Sequence, residues 1–354
     1  MRRTKSVFWV IGLMIGLLFL PSIVQAPEAT CPTFSSFFCK SLHYTGKGMR
    51  SWYEDGFMKI TGIPYKNLGC KKCHAKSCDR CHAVEKEGKM AFSTQKARSS
   101  ENCLACHARI KSSIRFDQKM KTPDVHLSAG ISCIDCHSAD EIHGDGTTYR
   151  SMRQPGAVTT SCEKCHKEDG EAPFEAKMKA HRIHRGKLHC EACHVKSNMT
   201  CYNCHFSHFL ETKKKKAIPM KSFVMLINYQ GKVTAGNVMA IVYKERKFIA
   251  YVPNFTHSIT AEGRRCGDCH NNRAIQLIKK GKRVPVVSFK NGKVVPWKGA
   301  VPAVPDKLQW TFFDWKGNKW IPLKTKEREL VQFAAFGEPL TTKQLKKLYK
   351  KFGK

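Results

Sequence analysis

Residues 181–208 read HRIHRGKLHCEACHVKSNMTCYNCHFSH, and this stretch determines how the rest of the chain is interpreted. It contains two Cys-x-x-Cys-His units, Cys190–His194 and Cys201–His205, together with four further histidines. In one helical turn the two thiols and the imidazole of such a unit lie on the same side of the backbone. This is the pattern of a c-type haem attachment site, where two thioethers hold the porphyrin and the histidine binds the iron.

The same unit recurs along the whole chain, which has 18 cysteines. Zinc sites and redox dithiols also use Cys-x-x-Cys, but neither requires a histidine directly after it. We therefore predict eight covalently bound haem c groups, at units numbered first to eighth in chain order, with zinc as the alternative. The predicted thioether cysteines are Cys70, Cys73, Cys78, Cys81, Cys103, Cys106, Cys133, Cys136, Cys162, Cys165, Cys190, Cys193, Cys201, Cys204, Cys266 and Cys269. The predicted proximal iron ligands are His74, His82, His107, His137, His166, His194, His205 and His270.

The histidines outside these units equal the units in number. They are the predicted distal iron ligands: His43, His126, His143, His181, His184, His189, His208 and His257. Bis-histidine ligation fills both axial positions of an iron, so that the haem exchanges electrons only, at low potential. The 12 methionines leave His/Met ligation open for individual haems. His189 is the weakest candidate, because it adjoins Cys190 and must serve a different haem.

The N-terminal residues predict export. Basic residues precede an apolar run, Val7–Leu20, and a small-residue site ends at Ala26, as in a secretory signal peptide covering residues 1–26. We expect a periplasmic or extracellular protein, with an uncleaved membrane anchor as the alternative. Residues 27–69 form an aromatic-rich segment, in which Cys31 and Cys39 are predicted to form a disulfide in an oxidising compartment.

Two further domains are predicted from the spacing of the motifs and from the strand and turn patterns along the sequence. Residues 70–212 hold seven units, too closely spaced for a conventional core, and predict a haem-cored domain of short helices and irregular loops. Pro173–Arg185 is its clearest predicted helix. Residues 213–354 predict a β-rich domain containing the eighth unit, with hairpins at Gln230-Gly231 and Asn291-Gly292. The predicted fold class is therefore mixed α and β.

The charge predicts the kind of partner. Two propionates on each of eight haems would offset about half of the formal charge of +34. Basic runs such as Lys213–Lys216 and Lys346–Lys351 would still steer acidic redox proteins towards the chain. Other multihaem cytochromes, or further copies of the chain in a filament, are also expected partners. Nucleic acid is not, because the chain carries no nucleic-acid-binding motif.

The array over residues 70–270 resembles that of the multihaem c-type cytochromes, and its eight units resemble the octahaem members. Octahaem tetrathionate reductases and related nitrite reductases carry Cys-x-x-Cys-Lys at the catalytic haem, and this chain has no such unit. Hydroxylamine-oxidoreductase-type enzymes are longer and cross-link a tyrosine to the active haem. The membrane quinol-oxidising tetrahaem family places its anchor close to the first haem site, whereas a long segment intervenes here.

These observations favour an electron carrier over an enzyme. The predicted function is the transfer of electrons along mainly bis-histidine haems between redox partners, in anaerobic or extracellular respiration. Two alternatives stay open. One is a multihaem reductase of a nitrogen or sulfur oxyanion with one open haem, and the other is a membrane-anchored quinol dehydrogenase subunit.

Overall fold

The structure is a computed structural model that describes residues 36–68, 74–170, 172–196 and 200–351, with Cys201 described by its backbone alone. The predicted signal peptide, Cys31, Cys70 and Cys73 lie outside these ranges. The fold is mixed α and β, as predicted. No helix in the described ranges is long and apolar enough to cross a membrane.

The helices are short, as expected for segments that lack a long apolar stripe. They are α1 (Leu42–Thr45), α2 (Arg50–Trp52), α3 (Met58–Thr61), α4 (Asp79–His82), α5 (Thr94–Arg98), α6 (Ser100–Cys106), α7 (Ala108–Lys119), α8 (Val125–Ser128), α9 (Cys133–Cys136), α10 (Ala139–His143), α11 (Lys179–His184), α12 (Glu191–His194), α13 (Phe206–Thr212), α14 (Cys266–Cys269), α15 (Arg273–Lys279) and α16 (Thr342–Leu348). A π-helical turn, Tyr53–Phe57, joins α2 to α3. The helix predicted over Pro173–Arg185 is confined to α11.

The strands concentrate in the C-terminal half. They are β1 (Ala83–Lys86), β2 (Lys89–Phe92), β3 (Thr200–Tyr202), β4 (Cys204–His205), β5 (Ile218–Met220), β6 (Phe223–Tyr229), β7 (Lys232–Tyr243), β8 (Arg246–Pro253), β9 (Val284–Lys290), β10 (Lys293–Pro296), β11 (Gly299–Pro302), β12 (Leu308–Trp310), β13 (Phe313–Lys316), β14 (Lys319–Pro322), β15 (Leu330–Phe333) and β16 (Gly337–Glu338). The main sheet runs β11-β6-β7-β8-β15, with β16 paired to β6 and β4 paired to β7. The β-rich unit thus includes β3 and β4, which precede the predicted boundary at residue 213.

Tight turns fix the register of the antiparallel pairs. The β6–β7 connection is Gln230-Gly231, with φ of 52° and 77°, and the β9–β10 connection is Asn291-Gly292, with φ of 48° and 71°. Two successive residues with positive φ form the type I′ turn whose twist matches that of paired strands. The β7–β8 turn is Lys244-Glu245, with φ of 45° and 67°.

Both faces of the main sheet are covered, so β6 is buried along its whole length. Because side chains alternate across a strand, Ile249 and Tyr251 belong to one apolar cluster and Phe248 to the other. The first cluster lies between the sheet and the small sheets of the C-terminal region. The second holds Tyr53 and Phe57 of the N-terminal segment, so these aromatics lie against the sheet.

The region from residue 74 to residue 196 has almost no apolar core of its own. Its buried hydrophobic residues in the described ranges are Ala75, Ala157, Ala192 and Val195. A segment of this length cannot offset the entropy of ordering its backbone with four small side chains. The region instead surrounds a cavity of about 3690 Å³, several times the roughly 300–1,000 Å³ of a single ligand pocket.

Candidate haem-binding sites

Six motif histidines each lie opposite one histidine from outside the units. Their ring centroids are separated by 5.9–6.2 Å. The pairs are His82 with His143, His107 with His43, His137 with His257, His166 with His126, His194 with His181, and His270 with His184. We call these the six imidazole pairs. The sequence indicated both sets of residues, and the fold specifies which member of one set faces which member of the other.

The separation within each pair suits one metal ion held between two imidazoles. An imidazole nitrogen bonds a first-row metal at about 2.0–2.1 Å, and the ring centroid lies about 1.1 Å behind that nitrogen, so two axial imidazoles have centroids about 6.2–6.4 Å apart. Direct stacking of rings would allow a much closer approach, at about 4.5 Å. The six pairs therefore have the spacing of iron ligands on opposite faces of a porphyrin.

Hydrogen bonds orient most of these rings. Seven of the twelve donate an Nδ1–H at 2.7–3.0 Å: His43, His166, His181, His184, His194 and His270 to backbone carbonyls, and His137 to Glu141. A carbonyl oxygen can only accept, so the proton is on Nδ1 and the lone pair is on Nε2. Such a bond fixes the tautomer and ring direction of a metal-ligating histidine.

Burial keeps several of these histidines neutral, which is the form that binds a metal. It lowers the pKa of His43 and His107, and nearby histidines lower it further. Burial also lowers the pKa of His257, and the nearby His137 lowers it further.

The backbone of the same six units forms a helical turn. In each, the motif histidine N–H donates to the carbonyl of the first cysteine at 2.8–3.0 Å. This places the two thiols and the imidazole on one side, as the motif requires. The first unit cannot be described in this way, since Cys70 and Cys73 lie outside the described ranges, but the His74 ring lies against Gly46.

The motif cysteines of successive units interact with one another and link the units into one series, which we call the row of attachment cysteines. Burial raises the pKa of four thiols, and a thiol of the next unit in the row raises each of them further: Cys81, Cys103, Cys136 and Cys193. The pKa of Cys162 is raised mainly by its hydrogen bond with Cys190 and secondly by burial. The neighbouring pairs are Cys81 and Cys106, Cys103 and Cys133, Cys136 and Cys165, Cys162 and Cys190, and Cys193 and Cys266. The row thus joins the second, third, fourth, fifth, sixth and eighth units.

The cavity is lined by ten of these cysteines and by both members of five imidazole pairs. Arg153 also lines it, and burial lowers the pKa of this guanidinium to about 10. A buried cation requires compensating anions; the charge of Glu191 supplies one, and a haem propionate would supply a second. The residues present therefore fit haem in spacing, in tautomer and in charge.

No family model, curated protein or solved structure matches this chain.

The zinc alternative gains no support from the described part of the chain, where no three His, Cys, Asp or Glu residues come together as ligands. A structural zinc ion takes four ligands. A haem iron takes four from the porphyrin and needs two from the protein, which is the number that each imidazole pair supplies.

Glu141 is a residue of the site that motif reading did not single out. Its carboxylate accepts from His137 Nδ1 at 2.7 Å and from the Thr159 N–H at 2.7 Å, and Thr160 Oγ1 donates to it at 2.9 Å. Burial alone would raise the pKa of Glu141, but these bonds lower it below its usual value. Its position four residues after a motif histidine, on the next helix, is the signal that could have identified it.

The remaining predicted ligands lie outside the six pairs. His189 lines the cavity, but its Nε2 donates to the Tyr229 carbonyl at 3.3 Å. His208 lies on α13, away from the cavity-lining residues. His205 faces Asp314. Cys39 is disulfide-bonded, and Cys31, its predicted partner, is outside the described residues.

Proposed function

We propose that this chain is an exported multihaem c-type cytochrome that transfers electrons along a row of bis-histidine haems. The six imidazole pairs carry the proposal, because each joins a motif histidine to a histidine from elsewhere at the spacing of two axial ligands. Haem c would be held at those six units, and at Cys70–His74 by the same motif. When bound, it would supply one-electron Fe(III)/Fe(II) chemistry.

The protein's own residues define what that chemistry can be. In each pair the two ring centroids are 5.9–6.2 Å apart, so an iron held between them would have no axial position left for a substrate. The carbonyls that accept from Nδ1 hold the rings in place during electron exchange. The cysteines of neighbouring units interact with one another, and haems bound to them would be close enough for electron tunnelling, which depends steeply on distance. These features favour electron transfer over catalysis at an iron.

One end of the row meets a lysine-rich surface. The C-terminal part of α16 contacts the eighth unit, because His270 Nδ1 donates to the Lys347 carbonyl and the Asn271 N–H donates to the Leu348 carbonyl. Exposed ammonium groups surround this contact: Lys343, Lys346, Lys347 and Lys350. Such a surface would attract an acidic redox protein to the end of the row.

Replacement of one distal histidine tests the proposal. His257→Ala removes the partner of His137 and should convert one haem per chain from low-spin to high-spin, as measured by electron paramagnetic resonance of the oxidised protein at low temperature. After reduction the variant should bind one equivalent of CO. His208→Ala is the matched control, since His208 lies outside the pairs, and it should leave both signals unchanged.

Three results would contradict the proposal. Absence of covalent haem in the pyridine haemochrome assay would remove its basis. CO binding to several haems of the unaltered protein would show open iron sites, as a reductase requires. An unchanged spin state in His257→Ala would show that the pair does not ligate iron.

A further inference from the structure

The seventh unit, Cys201–His205, has a different backbone from the six units with imidazole pairs. There is no helical turn: the His205 N–H donates to the Lys216 carbonyl at 2.9 Å. Strand β3 pairs antiparallel with β5, and β4 pairs in parallel with β7. Successive residues of a strand point to opposite faces of a sheet, whereas attachment requires both cysteines and the histidine on one side.

The two residues between the cysteines are buried in the β-rich unit. Tyr202 stacks on Trp310 at 5.2 Å and donates to the Thr311 carbonyl at 3.1 Å. Asn203, with φ of 57°, donates to the Phe313 carbonyl and accepts from the Phe313 N–H, both at 2.8 Å. Both side chains are 0% exposed. A haem at this unit would require this packing and these hydrogen bonds to be lost.

The His205 imidazole has no nitrogen available for iron. Its Nε2 donates to Asp314 Oδ1 at 2.8 Å, and its Nδ1 accepts from the His208 N–H at 3.4 Å. Iron ligation needs the Nε2 lone pair, but here Nε2 carries the proton. This is the reverse of the tautomer in the oriented imidazole pairs, where Nδ1 donates.

The row of attachment cysteines also bypasses the seventh unit. Cys193 of the sixth unit interacts electrostatically with Cys266 and Cys269 of the eighth. In the row of attachment cysteines, the eighth unit therefore comes directly after the sixth.

From these observations we infer that Cys201–His205 carries no haem and is a structural junction of the β-rich unit. The chain would then hold seven haems, since it has eight units and one is used for packing. The inference rests on the proposed function, because it concerns which units bear the cofactor. It corrects the count that the motif alone predicts.

Peptide mapping of the unaltered protein tests the inference. Trypsin should release residues 197–213 as a peptide without haem, whereas the peptide containing Cys133 and Cys136 should carry one. After reduction and denaturation, four of the 18 cysteines should be alkylated: Cys31, Cys39, Cys201 and Cys204. Haem on the 197–213 peptide, with only two alkylated cysteines, would overturn the inference. Haem on no peptide would instead contradict the proposed function.

A pair of double variants provides a second readout. Cys201→Ser/Cys204→Ser should keep the haem content per chain and the visible spectrum unchanged. The matched Cys133→Ser/Cys136→Ser variant should lose one haem, about a seventh of the total absorbance. An equal loss in both would overturn the inference, and if either variant fails to fold, the peptide map decides alone.

Discussion

The hydrogen bond between His137 and Glu141 should lower the reduction potential of one haem. Among the described motif histidines, His137 donates its Nδ1–H to a carboxylate, whereas His166, His194 and His270 donate to neutral carbonyls. A carboxylate makes the imidazole a stronger electron donor and so stabilises the ferric iron. The Glu141 side chain is only 5% exposed, and solvent therefore screens its charge weakly.

Glu141→Gln removes the charge and keeps the shape. A hydrogen bond to a charged group contributes about 1.5–3 kcal/mol and one between neutral groups about 0.5–1.5 kcal/mol, so the ferric state should lose roughly 1–1.5 kcal/mol of preferential stabilisation. Since a tenfold change in a one-electron equilibrium is about 59 mV, the potential should rise by about 40–70 mV. The other haems should shift much less.

Spectroelectrochemical titration of the variant and the unaltered protein measures this shift. Asp140→Asn is the matched control: it removes the same charge from the adjacent, exposed position of the same helix. A rise in Glu141→Gln no larger than in Asp140→Asn would refute the reasoning, because a general charge effect would then explain it. A fall in potential would refute the sign.

Three further predictions concern other parts of the molecule. Lys346→Glu/Lys350→Glu should slow oxidation of the reduced protein by ferricyanide about threefold or more at 10 mM ionic strength, where the Debye length is about 30 Å, and stopped-flow rates should converge with those of the unaltered protein near 1 M salt. Phe223→Ala, at a fully buried position of β6, should lower the free energy of unfolding by about 3–5 kcal/mol in denaturant titrations without changing the haem spectrum. Gly46→Ala should perturb the spectrum of the first haem, because φ is +63° at this position and a Cβ would overlap the His74 ring.

Local features of the fold could be predicted from the sequence. The β6–β7 and β9–β10 hairpins follow from Gln230-Gly231 and Asn291-Gly292, whose residues accept positive φ. The parallel pairings of β11 with β6 and of β15 with β8 could not, because they join segments far apart in the chain. The predicted helix over Pro173–Arg185 is shortened to α11 for a local reason: Met178, which precedes α11, has a ψ of 132°, an extended conformation that a helix cannot continue through.

The candidate site was predictable in its parts but not in its pairing. Motif spacing indicates the candidate attachment cysteines, and the remaining histidines form the pool of candidate second ligands. That His257 faces His137, and not a nearer unit, depends on the path of the β-rich unit. The seventh motif has the same letters as the others, and its difference arises from the strands that pair with β3 and β4 and from Asp314, more than 100 residues later.

The imidazole pairs also have a consequence for how the chain unfolds. Under the proposed function, each pair would cross-link two points of the polypeptide, since one of its histidines would serve a haem fixed to the chain by thioethers. The link from His137 to His257 closes a loop of about 120 residues, and a cross-link of about 100 residues removes roughly 4.7 kcal/mol of loop entropy from the unfolded ensemble. The loops closed by the six pairs overlap along the chain, and two of them, His137 with His257 and His184 with His270, would join the helical region to the β-rich unit. The two regions should therefore lose their structure in one cooperative transition.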